Sequence, residues 1–269
     1  MTKTQKLYFK ITDLILQTTA NLTRKANELS KLNYISKSNF TFDPVTWYDK
    51  IIESNVIDMI KMITPEADVY GEEFGLFKNH NESRNLWIID PIDGTKSFLC
   101  GNVLWGTILA YINNRNILIG ALDFPALNVR MIGAFGNAYA KHGKCYNLMP
   151  KLTEQVAEIN LNECIIASST VKAMTFIEKI AFKSLEKNVL HVIRDCDCYS
   201  FALLAQGKID AIVECALKPQ DILGLIPIVK GVGCVISDWS GRAVCFGERV
   251  VIARNATILN KIVSKIGFY

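Results

Sequence analysis

"LWIIDPIDGTKSF", residues 86–98, is the stretch whose reading decides the fold. Leu86, Trp87, Ile88 and Ile89 make a short apolar run that ends in Asp90. A run of this kind reads as a buried strand. An acid at its end is costly without a partner, so the strand is expected to stop at a functional loop. That loop, "DPIDGT" at 90–95, sets Asp90 and Asp93 three residues apart. Pro91 stiffens it, and Gly94 lets the backbone approach a ligand closely. Thr95 opens a short helix, so the amides of Gly94 and Thr95 are expected to point outward as anion donors. Carboxylates facing a helix N-terminus suit hard cations that bridge to a phosphate group. The bland alternative is a capped turn in which Asp90 and Asp93 only satisfy backbone donors.

Upstream of this loop the pattern is helical. Leu7, Ile11, Leu14, Ile15, Leu22 and Leu29 recur at helical spacing within residues 4–32. Thr46 is placed to cap a second helix, with Asp49 three residues on and Ile51, Ile52, Val56, Met59, Ile60 and Ile63 following; Pro65 ends it. Downstream, "TILAYI", "NILIGALD" and "RMIGAF" read as antiparallel strands joined by turns. The polar stretch around "GKCYNLMPKLTEQ" suggests one domain, 1–269, with two subdomains meeting near residue 150. Beyond it "CIIAS", "VLHVI", "IDAIVE" and "RVVIA" read as strands. "AMTFIEKIAFKSLEK", "DCYSFALLAQG" and "PQDILGLIPIVKGVG" read as helices, the last a single helix opened by Pro219. A C-terminal helix closes the chain. Alternation of this kind argues for a layered α/β arrangement.

Bulk properties exclude several classes. The formal net charge is +4 and no basic run of five or more occurs, which disfavours nucleic-acid binding. No stretch of 18 apolar residues exists, so no membrane span is expected. The eight cysteines form no C-x-x-C pair, most lie in apolar runs, and the N-terminus lacks a signal-peptide pattern. A reduced, cytoplasmic protein is the expectation. His80, His142 and His191 read as structural or surface residues.

The remaining acids say little singly. Glu72 in "GEE", 71–73, is one of a common type of Glu pair. Asp221 in "LKPQD", 217–221, could be a simple helix cap. Asp197 and Glu214 each border an apolar segment and, taken alone, read as solvated or capping groups.

Taken in order, "GEEFG", "WIIDPIDGTKSF" and "LKPQDILGLIPIVKGVGCVISDWSG" resemble the inositol monophosphatase-like phosphatases over nearly the whole chain, from "DPVTWYD" at 43–49 onward. "DGTKSF", "DCYSFALLAQGKID" and the "LKP…DWSG" elements resemble the histidinol-phosphatase branch most. The resemblance implies a layered α-β-α-β-α sandwich of the inositol monophosphatase/fructose-bisphosphatase type, a homodimer, and about two or three Mg2+ ions per site. It implies that Glu72, Asp90, the carbonyl of Ile92, Asp93 and Asp221 ligate metal. It implies that Glu72 and Thr95 position the attacking water and that Asp49 orients Thr95. Gly94 and Thr95 would hold the phosphate with Asp93 and Asp221 beside it. Asp197, Glu214 and Lys218 would face the organic part of a small phosphorylated substrate, with Ser168–Thr170 nearby. The expected reaction is in-line hydrolysis of histidinol phosphate. The rivals are inositol monophosphate or another small phosphomonoester, or a non-catalytic interaction protein on the same fold.

The chain departs from the family pattern in places. Asn39 and Thr41 stand where a Lys-x-Asp pair is usual, and Tyr48 replaces a small residue beside Asp49. Gln220 replaces an aromatic residue before Asp221. Lys230 and Cys234 replace an acid and a glycine. Those near Asn39 and Tyr48 bear on the weakest metal site, and Gln220 bears on substrate choice.

Overall fold

The computed structural model describes residues 1–27, 34–36, 44–78, 83–152, 159–244 and 248–267. Asn39, Thr41, His80 and Cys245 lie outside the described residues, as do the last residues of the expected first helix.

Two helices come first. Helix α1 (Lys3–Asn27) buries Ile11, Ile15, Leu16 and Ala20 along one stripe, and α2 (Trp47–Ile63) buries Ile52, Val56, Ile57 and Ile60. A short pair of strands, β1 (Tyr34–Ser36) and β2 (Pro44–Thr46), connects them.

The first large sheet has eight strands. They are β3 (Asp68–Gly71), β4 (Gly75–Phe77), β5 (Asn85–Asp93), β6 (Gly106–Asn113), β7 (Asn116–Phe124), β8 (Val129–Ala134), β9 (Asn137–His142) and β10 (Cys145–Leu148). Their spatial order is β10-β9-β8-β7-β6-β5-β3-β4, and only the β3–β5 pairing is parallel. The alternation of strand side chains divides the sheet's apolar residues between two faces. Trp87, Ile89, Leu109, Ile119, Ala121 and Ile132 pack with α1 and α2. Ile88, Ile108, Ala110, Leu122 and Met131 face the other way.

On that second face lie α5 (Tyr199–Ala205), α6 (Pro219–Ile222) and α7 (Ile226–Gly231). They share a core with Ile212, Val250 and Ile252 of the second sheet. That sheet runs β12 (His191–Arg194), β11 (Ile165–Ser168), β13 (Ala211–Leu217), β15 (Glu248–Ala253), β14 (Val235–Ser237). Its outer face packs on α4 (Phe176–Glu186) and α8 (Ala256–Ile266). The layers therefore run α-β-α-β-α, as the resemblance implies.

The single helix expected over 219–233 is two helices. Pro227 has no N–H to donate to the carbonyl of Leu223, so the helical ladder breaks and the chain bends at 223–225. The bend seats α7 directly on the sheet. A Cβ on Gly133 would lie 2.1 Å from the carbonyl carbon of Pro227, so only glycine permits this approach.

Candidate active site

The acidic loop begins as a strand and ends as a helix. In β5, Asp90 pairs with Ile108 and Asp93 with Gly106, so three residues of β5 oppose two of β6. This bulge offsets the alternation that would otherwise send residues three apart to opposite faces. The Asp90 carboxylate accepts from the amide of Ile92 at 3.1 Å, and the hydroxyl of Thr107 donates to the carbonyl of Pro91 at 2.9 Å. Gly94 follows with φ +83°, and helix α3 (Thr95–Leu99) starts at once. The Thr95 hydroxyl donates to the carbonyl of Ile92 at 3.1 Å.

The second half of the chain faces this loop. The amide of Cys198 donates to the Asp93 carboxylate at 2.9 Å, and Ser97 donates to Asp197 at 3.1 Å. Asp197 sits before α5 with φ +44°. Glu214, on β13 before a second bulge, accepts from the amides of Ser169 and Thr170 and from the Thr170 hydroxyl. Its carbonyl accepts from the indole of buried Trp239 at 3.0 Å. Asp221 caps α6 by accepting from the amide of Lys218 at 2.8 Å.

One cleft of about 240 Å³ results. Glu72, Asp90, Ile92, Asp93, Gly94, Thr95, Asp197, Glu214, Lys218 and Asp221 all line it, together with Ser169 and Thr170. Of the expected site residues Asp49 does not line it, nor does Ser168 of the neighbouring 168–170 stretch. Asp49 is buried on α2, close enough for its charge to act on Asp90. Gln220, at the position expected to affect substrate choice, is buried and does not line the cleft.

The electrostatics are those of crowded acids. Burial first, then the negative charges of Glu72, Asp93, Asp221 and Asp49, hold the Asp90 carboxyl well above its ordinary range. Burial and the charge of Asp197 push Asp93 up to about 8, against the hydrogen bond from Cys198. Burial pushes Glu214 up to about 7, although Ser169 and Thr170 donate to it. Glu214 and Asp197, which read singly as capping or solvated groups, are thus part of the cleft.

A residue that sequence reasoning missed supports the site from behind. Glu53 is fully buried on α2 and accepts from the amides of Glu73 and Phe74, each at 2.9 Å. It thereby pins the turn between β3 and β4 that carries Glu72. A Cβ on Gly71 would stand 1.9 Å from a Glu53 carboxylate oxygen, which accounts for the glycine in "GEE". Burial pushes Glu53 up to about 7. The signal is present in the sequence: Glu53 falls on the stripe shared by Asp49, Ile52, Val56 and Ile60.

Four carboxylates with backbone oxygen nearby form a hard, oxygen-only donor set of the kind divalent magnesium or calcium takes. Among the described residues, no three Asp, Glu, His or Cys side chains are grouped tightly enough to make a ready ligand set. The donor chemistry still fits, because the repulsion at Asp90 and Asp93 is what a bound cation would relieve. Also among the described residues, no helix is long and apolar enough to cross a membrane.

Comparison with known proteins shows the family and the fold. The model of the inositol monophosphatase family matches residues 3–268. A bifunctional phosphatase IMPL2 of Arabidopsis thaliana is 32% identical over 79% of the chain, which spans 59% of that relative's length. A histidinol-phosphatase of Chlorobaculum parvum is 30% identical, covering 92% of this chain and 95% of its own. Other relatives carry the names inositol monophosphatase, fructose-1,6-bisphosphatase/inositol-1-monophosphatase and Nus factor. An inositol monophosphatase structure from Zymomonas mobilis superposes with a TM-score of 0.83 at 20% identity, over 99% of this chain and 100% of that one, which shows the shared fold.

Proposed function

Because this chain belongs to the inositol monophosphatase family, we propose that its cleft hydrolyses a small phosphomonoester, with histidinol phosphate as the first candidate. The observation that carries the reading is the convergence of Glu72, Asp90, Asp93 and Asp221 on one cleft beside the start of α3. The protein is a phosphatase of that family. The substrate assignment is supported by the full-length likeness to a histidinol-phosphatase. Inositol monophosphate is the second reading, favoured by relatives that carry that name.

Glu72, Asp90, the carbonyl of Ile92, Asp93 and Asp221 would hold Mg2+, in about two or three positions. Bound there, the ions supply charge neutralisation, polarisation of the phosphoryl group and a water of lowered pKa. The protein's own groups do the rest. The amides of Gly94 and Thr95 hold phosphate oxygens. Thr95, whose hydroxyl proton is committed to Ile92, can accept a hydrogen bond from the attacking water and so orient it, and the Glu72 carboxylate takes the water's proton. Asp49 orients this pair from behind the cleft. Attack in line with the departing oxygen breaks the P–O bond, and a proton from solvent completes the alcohol product. Asp197, Glu214 and Lys218 face the organic part of the substrate, where two acids suit a cationic amino alcohol. A homodimeric, cytoplasmic enzyme completes the proposal.

The test is phosphate release with Mg2+ from histidinol phosphate, inositol 1-phosphate and a panel of small monoesters. Histidinol phosphate should give the highest kcat/KM, and Asp93→Asn should lose at least about a hundredfold. Full activity in Asp93→Asn, or no turnover of any monoester, would sink the reading.

A further inference from the structure

A second cleft, of about 280 Å³, opens on the face of the first sheet that carries α1. It lies on the opposite face from Asp90, and no step of the hydrolysis uses it. Four cations line it, Arg24, Arg130, Lys141 and Lys144, with a single carboxylate, Asp123.

Two of the four cations are committed. Arg130 donates to both oxygens of Asp123, at 2.7 and 3.1 Å, and to Asp13 at 2.6 Å. Lys141 donates to the same Asp13 oxygen at 2.9 Å, and Tyr146 donates to it at 2.6 Å. Arg130 and Lys141 thus balance Asp13 and Asp123. Arg24 and Lys144 remain as a surplus of two positive charges.

Arg24 is also oriented. Its Nε and Nη2 donate to the carbonyl of Pro125 at 3.1 and 3.0 Å, which fixes the guanidinium plane. Its Nη1 has no partner among the described residues. Lys144 reaches the cleft from the turn between β9 and β10, while Gln17 and Asn128 add neutral amide donors. A fixed guanidinium, an exposed ammonium and amide donors around a polar hollow suit an oxyanion of about two charges.

We propose that this cleft binds a small phosphate-class dianion, inorganic phosphate or a phosphomonoester, through Arg24 and Lys144. The site is separate from the catalytic cleft, and the proposal holds whichever monoester that cleft hydrolyses.

The experiment is isothermal titration calorimetry on the full chain. Inorganic phosphate and glycerol 1-phosphate are titrated separately, with Mg2+ and after its removal by EDTA. Without metal the uncompensated acids of the catalytic cleft repel an anion despite Lys218 and the amides of Gly94 and Thr95, so binding that persists and depends on Arg24 and Lys144 reports the second site. Exchanging both cations, Arg24→Gln with Lys144→Gln, should weaken it by about tenfold or more, since each is a charge-assisted donor. Both side chains are exposed, and a thermal melt checks that the variant is folded. Binding of phosphate as tight as the monoester assigns the site to the product. Tighter binding of glycerol 1-phosphate assigns it to a phosphorylated metabolite. No binding by the metal-free protein at tens of millimolar, or equal binding by the double variant, overturns the proposal. So does binding strengthened by Asp93→Asn, which removes a repelling charge from the catalytic cleft and would place the anion there.

Discussion

Replacing Glu53 by glutamine separates the support of the site from the stability of the fold. The carboxylate's pKa is pushed from 4.5 to about 7 by burial. At 1.36 kcal/mol per unit, keeping it charged at alkaline pH costs roughly 3 kcal/mol, a cost that Glu53→Gln removes. Against this, the amide side chain can accept from only one of the Glu73 and Phe74 N–H groups and presents its own N–H to the other. The bonds to the charged form are already contained in that net value, but leaving one buried N–H without an acceptor costs about 1–3 kcal/mol. The two terms nearly cancel, so the thermal midpoint near pH 8 should barely move. The turn carrying Glu72 loses one of its two anchors, however. Removing a group that orients a metal ligand weakens metal affinity by about 10–100-fold. Calorimetric titration of Mg2+ reads this directly, and phosphate release against Mg2+ concentration should show the same shift in midpoint. Unchanged Mg2+ affinity and unchanged turnover in a stably folded Glu53→Gln would mean that Glu53 only fills space.

Other outcomes follow from the same structure. Glu53, Asp93 and Glu214 have folded pKa values raised to about 7, 8 and 7, so the folded state holds more protons than the unfolded one. Their stability contribution is full below the ordinary carboxylate range and is lost as pH rises through about 7–8. The metal-free protein should therefore melt lower at about pH 8.5 than at pH 5.5, and Mg2+ should raise the midpoint more at the higher pH. A flat profile by scanning calorimetry would contradict the crowded-acid picture. Gly133→Ala drives a methyl into the backbone at Pro227 and should cost about 1–3 kcal/mol in urea unfolding; a neutral result would mean that α7 can lift from the sheet. Arg130→Met leaves Asp123 charged and buried and should cost about 3–5 kcal/mol by the same assay, with a smaller loss if Asp123 is replaced by Asn as well.

The parts of the molecule legible in the sequence are those set by local pattern. Apolar runs mark β5, β6 and β7, helical stripes mark α1, α2 and α4, and the loop at 90–95 announces where chemistry belongs. Local pattern fails where tertiary partners decide. Polar strands β9 and β10 carry little apolar signal and exist because β8 offers β9 an edge and β9 in turn offers one to β10. The helix expected over 219–233 runs through Pro227, although that residue's missing N–H is itself a local signal. Glu214 reads as solvated because Ser169 and Thr170, which satisfy it, lie 44–45 residues away in the chain. Glu53 is silent because an acid on an apolar stripe has meaning only once the turn at Glu73 and Phe74 is seen above it.

The hydrogen bonds from Cys198 to Asp93 and from Ser97 to Asp197 have one more consequence. Each joins groups about a hundred positions apart, one from the first sheet's half of the chain and one from the second's. A nascent chain that has made only residues up to 152 holds Glu72, Asp90 and Asp93 but lacks Asp197, Glu214 and Asp221. It is therefore a partial acid cluster with no opposing wall. The cleft is complete only when the second sheet docks, so on the proposed site the isolated first half should not turn over substrate. Two fragments divided near residue 155 should each be silent and should gain activity together at the rate at which they associate.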